Sequence, residues 1–384
     1  MQHHQQQRRS LLCVAGLSPQ VITETIWALW QRDGVAHLPE QIHIITTNKG
    51  QERIEANLID PAGPSYLHRL YLDIQNAHPE KTVPQPELHI HLVATDSGIS
   101  LDDINDQASN DAAADTICNV VRHLCRNAEL ALHGSIAGGR KTMGFYLGYA
   151  MSLYARRGDE LSHVLVNSPF ESHHDFYYPP MIAQMIEWND GRSIQRINTS
   201  KAVIMLAPIA FVRLRDRLPD NLNQPDISFS KVVELAQRSL DPPRLQVDLP
   251  NRQIYCNGQP VQLSNVELTL MAWMAERIKS GLGGVFRYQF HEHSDDLLRW
   301  RRYLTGTNSS SVEKLEQQIK HGGLTINDFD YQKSRLNKTL ERQLGSELAN
   351  HFKLQQLGKR NSPFGLTLQP DQIELNDPSR WCAL

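Results

Sequence analysis

The sequence predicts an α/β protein: a doubly wound, mostly parallel sheet with helices on both faces, then a second, smaller α+β domain. Three observations carry this. Short apolar runs alternate with helix-length stretches as far as Ser168, which is how parallel sheets are built. The apolar runs end in polar or Gly-containing turns, which should converge on one rim of the sheet. After Asp241-Pro242-Pro243 the pattern changes, and a Pro pair of this kind is a linker signal.

The elements follow in order. LLCVAGL (11–17) is the apolar run of a buried parallel strand. Ser18 is placed to cap the next helix, with Pro19 at its first position. That helix runs through Ile22, Ile26 and Trp30 and stops near Asp33-Gly34. QIHIIT (41–46) and LHIHLVAT (88–95) read as strands, and 111–127 as a helix. ELALHGS (129–135) enters a Gly-rich turn and a helix from about Met143 to Arg157, and LSHVLVNS (161–168) is another strand. AVIMLAPIAFVRLRD (202–216) reads as a strand pair or a strand bent at Pro208. Beyond the linker, two short strands meet at Asn257-Gly258, a favoured hairpin turn. Ser264 caps a helix, with Glu267 completing a capping box. SRLNKTLERQL (334–344) is a basic amphipathic helix, and FGLTLQPDQIEL (364–375) reads as a terminal hairpin.

Composition narrows the function classes. Lys and Arg number 39, Asp and Glu 42, and the net charge is −3, which excludes a globally basic nucleic-acid binder. Residues 1–243 hold 21 basic and 27 acidic side chains, and residues 244–384 hold 18 and 15, so only the second part is net positive. Five scattered cysteines without a CxxC suggest reduced thiols and a cytoplasmic protein. The apolar run at 11–17 is too short for a signal peptide, and no stretch approaches the ~18 apolar residues of a membrane span.

Two motifs point to an anion. In Gly16-Leu17-Ser18-Pro19-Gln20, a Gly at a strand exit allows close backbone approach, and the helix start offers free N–H groups. It is not the GxGxxG of a dinucleotide fold. In Gly134-Ser135-Ile136-Ala137-Gly138-Gly139-Arg140-Lys141-Thr142, Arg140 intrudes before Lys141-Thr142, so a Walker A loop is rejected. Two glycines and two cations still suit a phosphate. His3-His4, His173-His174-Asp175 and His291-Glu292-His293 are read as polar surface, so no metal and no cofactor are expected.

Residues 16–25 (GLSPQVITET) together with 137–143 (AGGRKTM) resemble the CRISPR-associated Rossmann-fold (CARF) sensor family, in particular its single-CARF ring-nuclease branch. Asn167-Ser168-Pro169-Phe170-Glu171, followed by Phe176-Tyr177-Tyr178-Pro179, is similar to that branch as well. The resemblance implies a Rossmann-like CARF domain over 10–230, a homodimer, and a cyclic oligoadenylate ligand, cyclic tetra-adenylate in this branch. The second part, 244–384, resembles a winged helix of the response-regulator type, with an insertion at about 280–330. The Arg-to-His spacing of the HEPN ribonuclease common in CARF effectors is missing there, Arg287 to His291 being the nearest string.

The expected function is therefore metal-independent cleavage of cyclic tetra-adenylate to linear products with 2′,3′-cyclic phosphate ends, switching off type III CRISPR signalling. Ser18 and Lys141 are the expected catalytic residues. Gly16, Leu17, Gln20, Thr23, Asn48, Gly138, Gly139, Arg140 and Thr142 are the expected ligand-binding residues. The alternative is a non-enzymatic, ligand-gated regulator acting on DNA through Arg335, Lys338 and Arg342, which share one helix face.

Overall fold

The structure is a computed structural model, and it describes residues 7–63, 65–171, 173–189, 191–215, 227–238 and 241–376. The chain divides into two compact units near residue 229. The first is a six-stranded sheet with helices. Its strands are β1 (Arg8–Val14), β2 (Gln41–Thr46), β3 (Glu87–Leu92), β4 (Leu130–Ser135), β5 (Glu160–Val166) and, after the hairpin β6 (Met185–Asn189) and β7 (Ile194–Asn198), β8 (Ile204–Pro208). Their spatial order is β3-β2-β1-β4-β5-β8. All pairs are parallel except β5 with β8. The strand order reverses between β1 and β4, so the carboxyl ends of these two strands flank the crevice where ligands of doubly wound sheets bind.

The apolar runs explain the sheet. In β1 every residue from Leu11 to Val14 is buried, and in β2 every residue from Ile42 to Thr46. Strands covered on both faces have no polar alternation to show. Between them lies α1 (Gln20–Asp33), which buries Ile22, Ile26 and Leu29 and ends where Gly34, at φ +78°, sends its N–H to Trp30 O. Next come α2 (Asn48–Ile54), α3 (Tyr66–Ala77), α4 (Gln107–Arg126) and α5 (Lys141–Tyr154). Asp106 accepts from Ser109 N at 2.8 Å, which starts α4 four residues before the expected boundary. Ser18 does not cap α1. Pro19 occupies the cap position and no side chain bonds the exposed N–H groups, so the expected cap is absent. Phe170 and Phe176 join a core with Val164 and Ile204. Tyr177 stacks on Tyr66 at 3.7 Å.

The second unit follows α6 (Phe229–Arg238). It contains β9 (Leu245–Asp248), β10 (Gln253–Cys256), β11 (Gln259–Val261), α7 (Asn265–Lys279), α8 (Ser294–Thr305), α9 (Ser310–Lys320), α10 (Ile326–Leu344), α11 (Ser346–Asn350), β12 (Gln355–Gln356), β13 (Phe364–Gly365) and β14 (Ile373–Asn376). Asn257 and Gly258 have φ +48° and +72°, as the turn between β10 and β11 requires. The Ser264–Glu267 capping box forms at the start of α7. The expected terminal hairpin does not form: β13 pairs with β12, while β14 lies parallel to β9. The insertion at 280–330 is helical, and Phe290, Leu297, Trp300 and Leu315 from it enter the core around Trp273.

Candidate functional site: two glycine turns at the strand ends

The two motifs meet in space. A Cβ on Gly138 would stand 2.5 Å from Val14 O and 2.8 Å from Val21 Cγ2. Only glycine lets the turn after β4 close this tightly on β1. A Cβ on Gly16 would lie 3.4 Å from Gly139 Cα, so the turns after β1 and β4 pack together. Gly139 adopts φ +71°.

A cleft of about 470 Å³ opens at this junction, within the usual range of small-molecule sites. Gly16, Leu17, Ser18, Gly138, Gly139 and Arg140 line it, as do Lys49 from the first turn of α2 and His163 from β5. Lys141 does not. It is the exposed first residue of α5, one position past Arg140. Nor do Gln20, Thr23, Asn48 or Thr142 line the cleft. Thr23 is fully buried, and its hydroxyl donates to Tyr177 O at 2.7 Å. The Gln20 amide donates to His174 O at 3.3 Å, and the Asn48 amide to Asp102 Oδ1 at 2.9 Å. Thr142 is exposed. The bonds of Thr23, Gln20 and Asn48 hold the neighbouring loops in place.

The charges are mixed. Arg140 grips Asp103 with Nη2 at 2.7 and 2.9 Å from its two oxygens. That contact holds the Asp103 carboxyl below the usual carboxylate range. An entering phosphate would have to share or take this guanidinium. Lys49 carries no ion pair among the described residues. Glu24, on α1, forms part of the wall and is 4 % exposed. Burial, helped by the nearby Glu171 carboxylate, pushes its carboxyl up to about 8. It therefore keeps its proton at neutral pH and does not repel an anion. The nearby His163 Nδ1 is buried without a hydrogen-bond partner. Lys49 is visible in the sequence as part of the polar turn after β2. Glu24 is not, because nothing in VITETIW distinguishes a wall residue from a solvated one.

The His173-His174-Asp175 group brings its ligand atoms within 4.8 Å of one another. Both His173 nitrogens are already engaged, Nε2 at 2.7 Å from Glu187 O and Nδ1 accepting from Asp175 N at 3.1 Å. The surface reading of that triplet fits this geometry. His3 and His4 lie outside the described residues. In the second unit, Arg335, Lys338 and Arg342 line one shallow concavity with Ser264, Glu267 and Thr339. Arg335 Nε lies 4.0 Å from Glu267 Oε1. No helix among the described residues is long and apolar enough to cross a membrane.

The family model of CRISPR-associated protein NE0113 (Cas_NE0113) matches residues 18–242, which include the whole sheet from β2 to β8 and both glycine-turn helices. The chain belongs to this CRISPR-associated family. No curated protein matches it. Among solved structures, Enterococcus italicus Csm6 bound to cyclic hexa-2′-fluoro-hexa-dAMP is similar at 12% identity with a TM-score of 0.27. That likeness covers 88% of this chain and 60% of Csm6. It is too low a score to bear on the fold or the site, and the chain spans less than two thirds of that protein's length.

Proposed function

We propose that this CRISPR-associated protein binds cyclic tetra-adenylate in the cleft between the two glycine turns and cleaves it as a ring nuclease. The observation that carries the reading is the packing of Gly16 against Gly139 beside Lys49 and Arg140. This places bare backbone, two helix starts and two cations at one strand-end crevice, the arrangement that suits phosphate. Membership of a CRISPR-associated family supplies the biological setting. A ring of four nucleotides is a larger object than one such cleft takes whole. It has twofold symmetry, so two copies of the chain related by a twofold axis would each hold half.

The reaction needs no external nucleophile. A ribose 2′-hydroxyl attacks its own 3′-phosphorus when it is in line with the departing 5′-oxygen. The O2′–P bond forms, the P–O5′ bond breaks, and a linear product ends in a 2′,3′-cyclic phosphate. The protein contributes positioning and stabilisation of the developing negative charge. Ser18, on the cleft wall, holds the ribose or phosphate in line. Lys141 stabilises the charge, with Lys49 as the cation nearest the bound ring.

The test is single-turnover cleavage of labelled cyclic tetra-adenylate in excess EDTA. Linear products with 2′,3′-cyclic ends are expected. Lys141→Ala or Lys49→Ala should slow the step by roughly 10²–10³, the usual effect of removing one preorganised donor. Ser18→Ala should slow it without shifting the melting point, since Ser18 caps nothing. Rings left intact by folded wild-type protein would contradict the nuclease reading. They would favour a ligand-gated regulator, whose output face would be the Arg335, Lys338 and Arg342 surface of α10.

A further inference from the structure

Away from the cleft, three histidines share one face of the sheet. His43 is on β2, and His89 and His91 are on β3. The two-residue period of a strand puts His89 and His91 on the same side, and the register pairs His43 with His89. The rings are in contact. His43 stacks on His89 with centroids 4.6 Å apart and on His91 at 5.3 Å. His43 Nδ1 lies 3.0 Å from His91 Nε2. None of the three lines the cleft. His43 is four residues, roughly 13 Å of strand, from Thr47 on the cleft wall.

The cluster leaves lone pairs and N–H groups without partners. His43 is 7 % exposed, and its Nε2 has no hydrogen bond. His89 Nε2 is also buried and without a hydrogen bond. Buried polar atoms nearly always find a partner, so two orphans in one cluster of three imidazoles ask for something that engages several rings at once. A proton does this poorly. Burial, with the neighbouring His91, His89 and His123, pushes the His43 imidazole down to about 3. Neutral imidazole is the form that ligates metals.

We propose that His43, His89 and His91 form a three-histidine site for a divalent transition metal of intermediate softness, with Zn²⁺ the best fit and the fourth position left to water. Three imidazoles and an open position are an established zinc donor set, and imidazole suits Zn, Cu and Ni better than Mg or Ca. Two nitrogens on a tetrahedral Zn²⁺, each at 2.0–2.1 Å, stand about 3.3 Å apart. The His43 and His91 nitrogens are already near that spacing, and His89 reaches it by turning its ring. Glu87 supplies the outer support. Its Oε2 is 3.8 Å from His89 Nε2, and its carboxylate is held by Gln41 at 3.0 Å and Arg8 at 3.1 Å. A carboxylate behind a ligating histidine fixes the ring and raises its basicity. The metal would tie β3, the edge strand, to β2. It takes no part in the chemistry of the cleft.

The test uses the untagged full-length protein, stripped with a chelator and titrated with Co²⁺ followed by Zn²⁺. One equivalent of Co²⁺ with a tetrahedral visible spectrum is expected, displaced by Zn²⁺ and accompanied by a higher melting temperature. His89→Ala/His91→Ala should abolish this equivalent, and Glu87→Gln should weaken it by about 10–100-fold. His174→Ala should leave it intact. Should the double variant fail to fold, X-ray absorption of the zinc-loaded wild type decides. Three imidazole nitrogens at 2.0–2.1 Å support the site, and two or fewer overturn it. Absence of a tight equivalent in the wild type, or its survival in folded His89→Ala/His91→Ala, also overturns it.

Discussion

Glu24→Gln should stabilise the protein, and the gain should grow with pH. In the unfolded chain this carboxyl titrates near its ordinary 4.5, while in the folded chain burial and Glu171 raise it to about 8. Between those values the folded state holds a proton that the unfolded state has lost. Stability from this group is therefore complete below about pH 4.5 and drains away as pH rises through 8. At pH 7 the gap is about 2.5 pH units. At ~1.4 kcal/mol per unit, that is a cost of about 3 kcal/mol. Glutamine has the same shape and never ionises, so it removes the cost. Urea denaturation of both proteins at pH 5, 6, 7 and 8 measures the difference directly. The variant should match the wild type within error near pH 4.5 and exceed it by about 3 kcal/mol at pH 7. The same proton matters to the ligand. Above pH 8 the ionised Glu24 joins Glu171 in opposing a phosphate, and wild-type affinity should fall while the variant's holds. A stability difference that does not change with pH, or a variant weaker than the wild type at pH 7, would refute the reasoning.

Gly138→Ala should destabilise the first unit by about 1–3 kcal/mol, because the new methyl meets Val14 O and Val21. A thermal melt checks this, and an unchanged melting point would mean that the turns are not packed as described. In the second unit, Arg335→Ala with Lys338→Ala should weaken DNA retention and lower the salt slope by about one unit for each phosphate left unneutralised. If the wild type fails to retard duplex DNA with or without cyclic tetra-adenylate, the face is not a DNA surface.

What is legible in the sequence follows from locality. The runs LLCVAGL and QIHIIT announce buried strands because burial on both faces leaves no polar residue to spare. The turns after β1 and β4 announce a rim because glycine is needed where backbones touch. The Asn257-Gly258 hairpin and the Ser264–Glu267 box are likewise short-range devices, and both form as expected. Non-local choices are not legible. β13 and β14 could have paired with each other, yet β12 and the free edge of β9 took them instead. The β6–β7 hairpin, in the stretch after Pro169, carries no apolar alternation strong enough to mark it. Ser18 has the right chemistry for a cap, but Pro19 takes the cap position. Within the site, Lys141, Gln20, Thr23, Asn48 and Thr142 belong to the right loops, while their side chains face elsewhere than the cleft. Orientation within a turn depends on partners such as Tyr177 O and Asp102 that lie far along the chain. His43, His89 and His91 are hidden for the same reason: their grouping needs the pairing of β2 with β3.

The most direct measurement is a calorimetric titration of the purified full-length protein with cyclic tetra-adenylate, in EDTA at low temperature so that binding is complete before the ring is consumed. The account predicts saturable binding with one ring per two chains, and a markedly weaker isotherm for Lys49→Ala. No saturable heat from a folded wild type, or affinity untouched by changes at both Lys49 and Arg140, would contradict it.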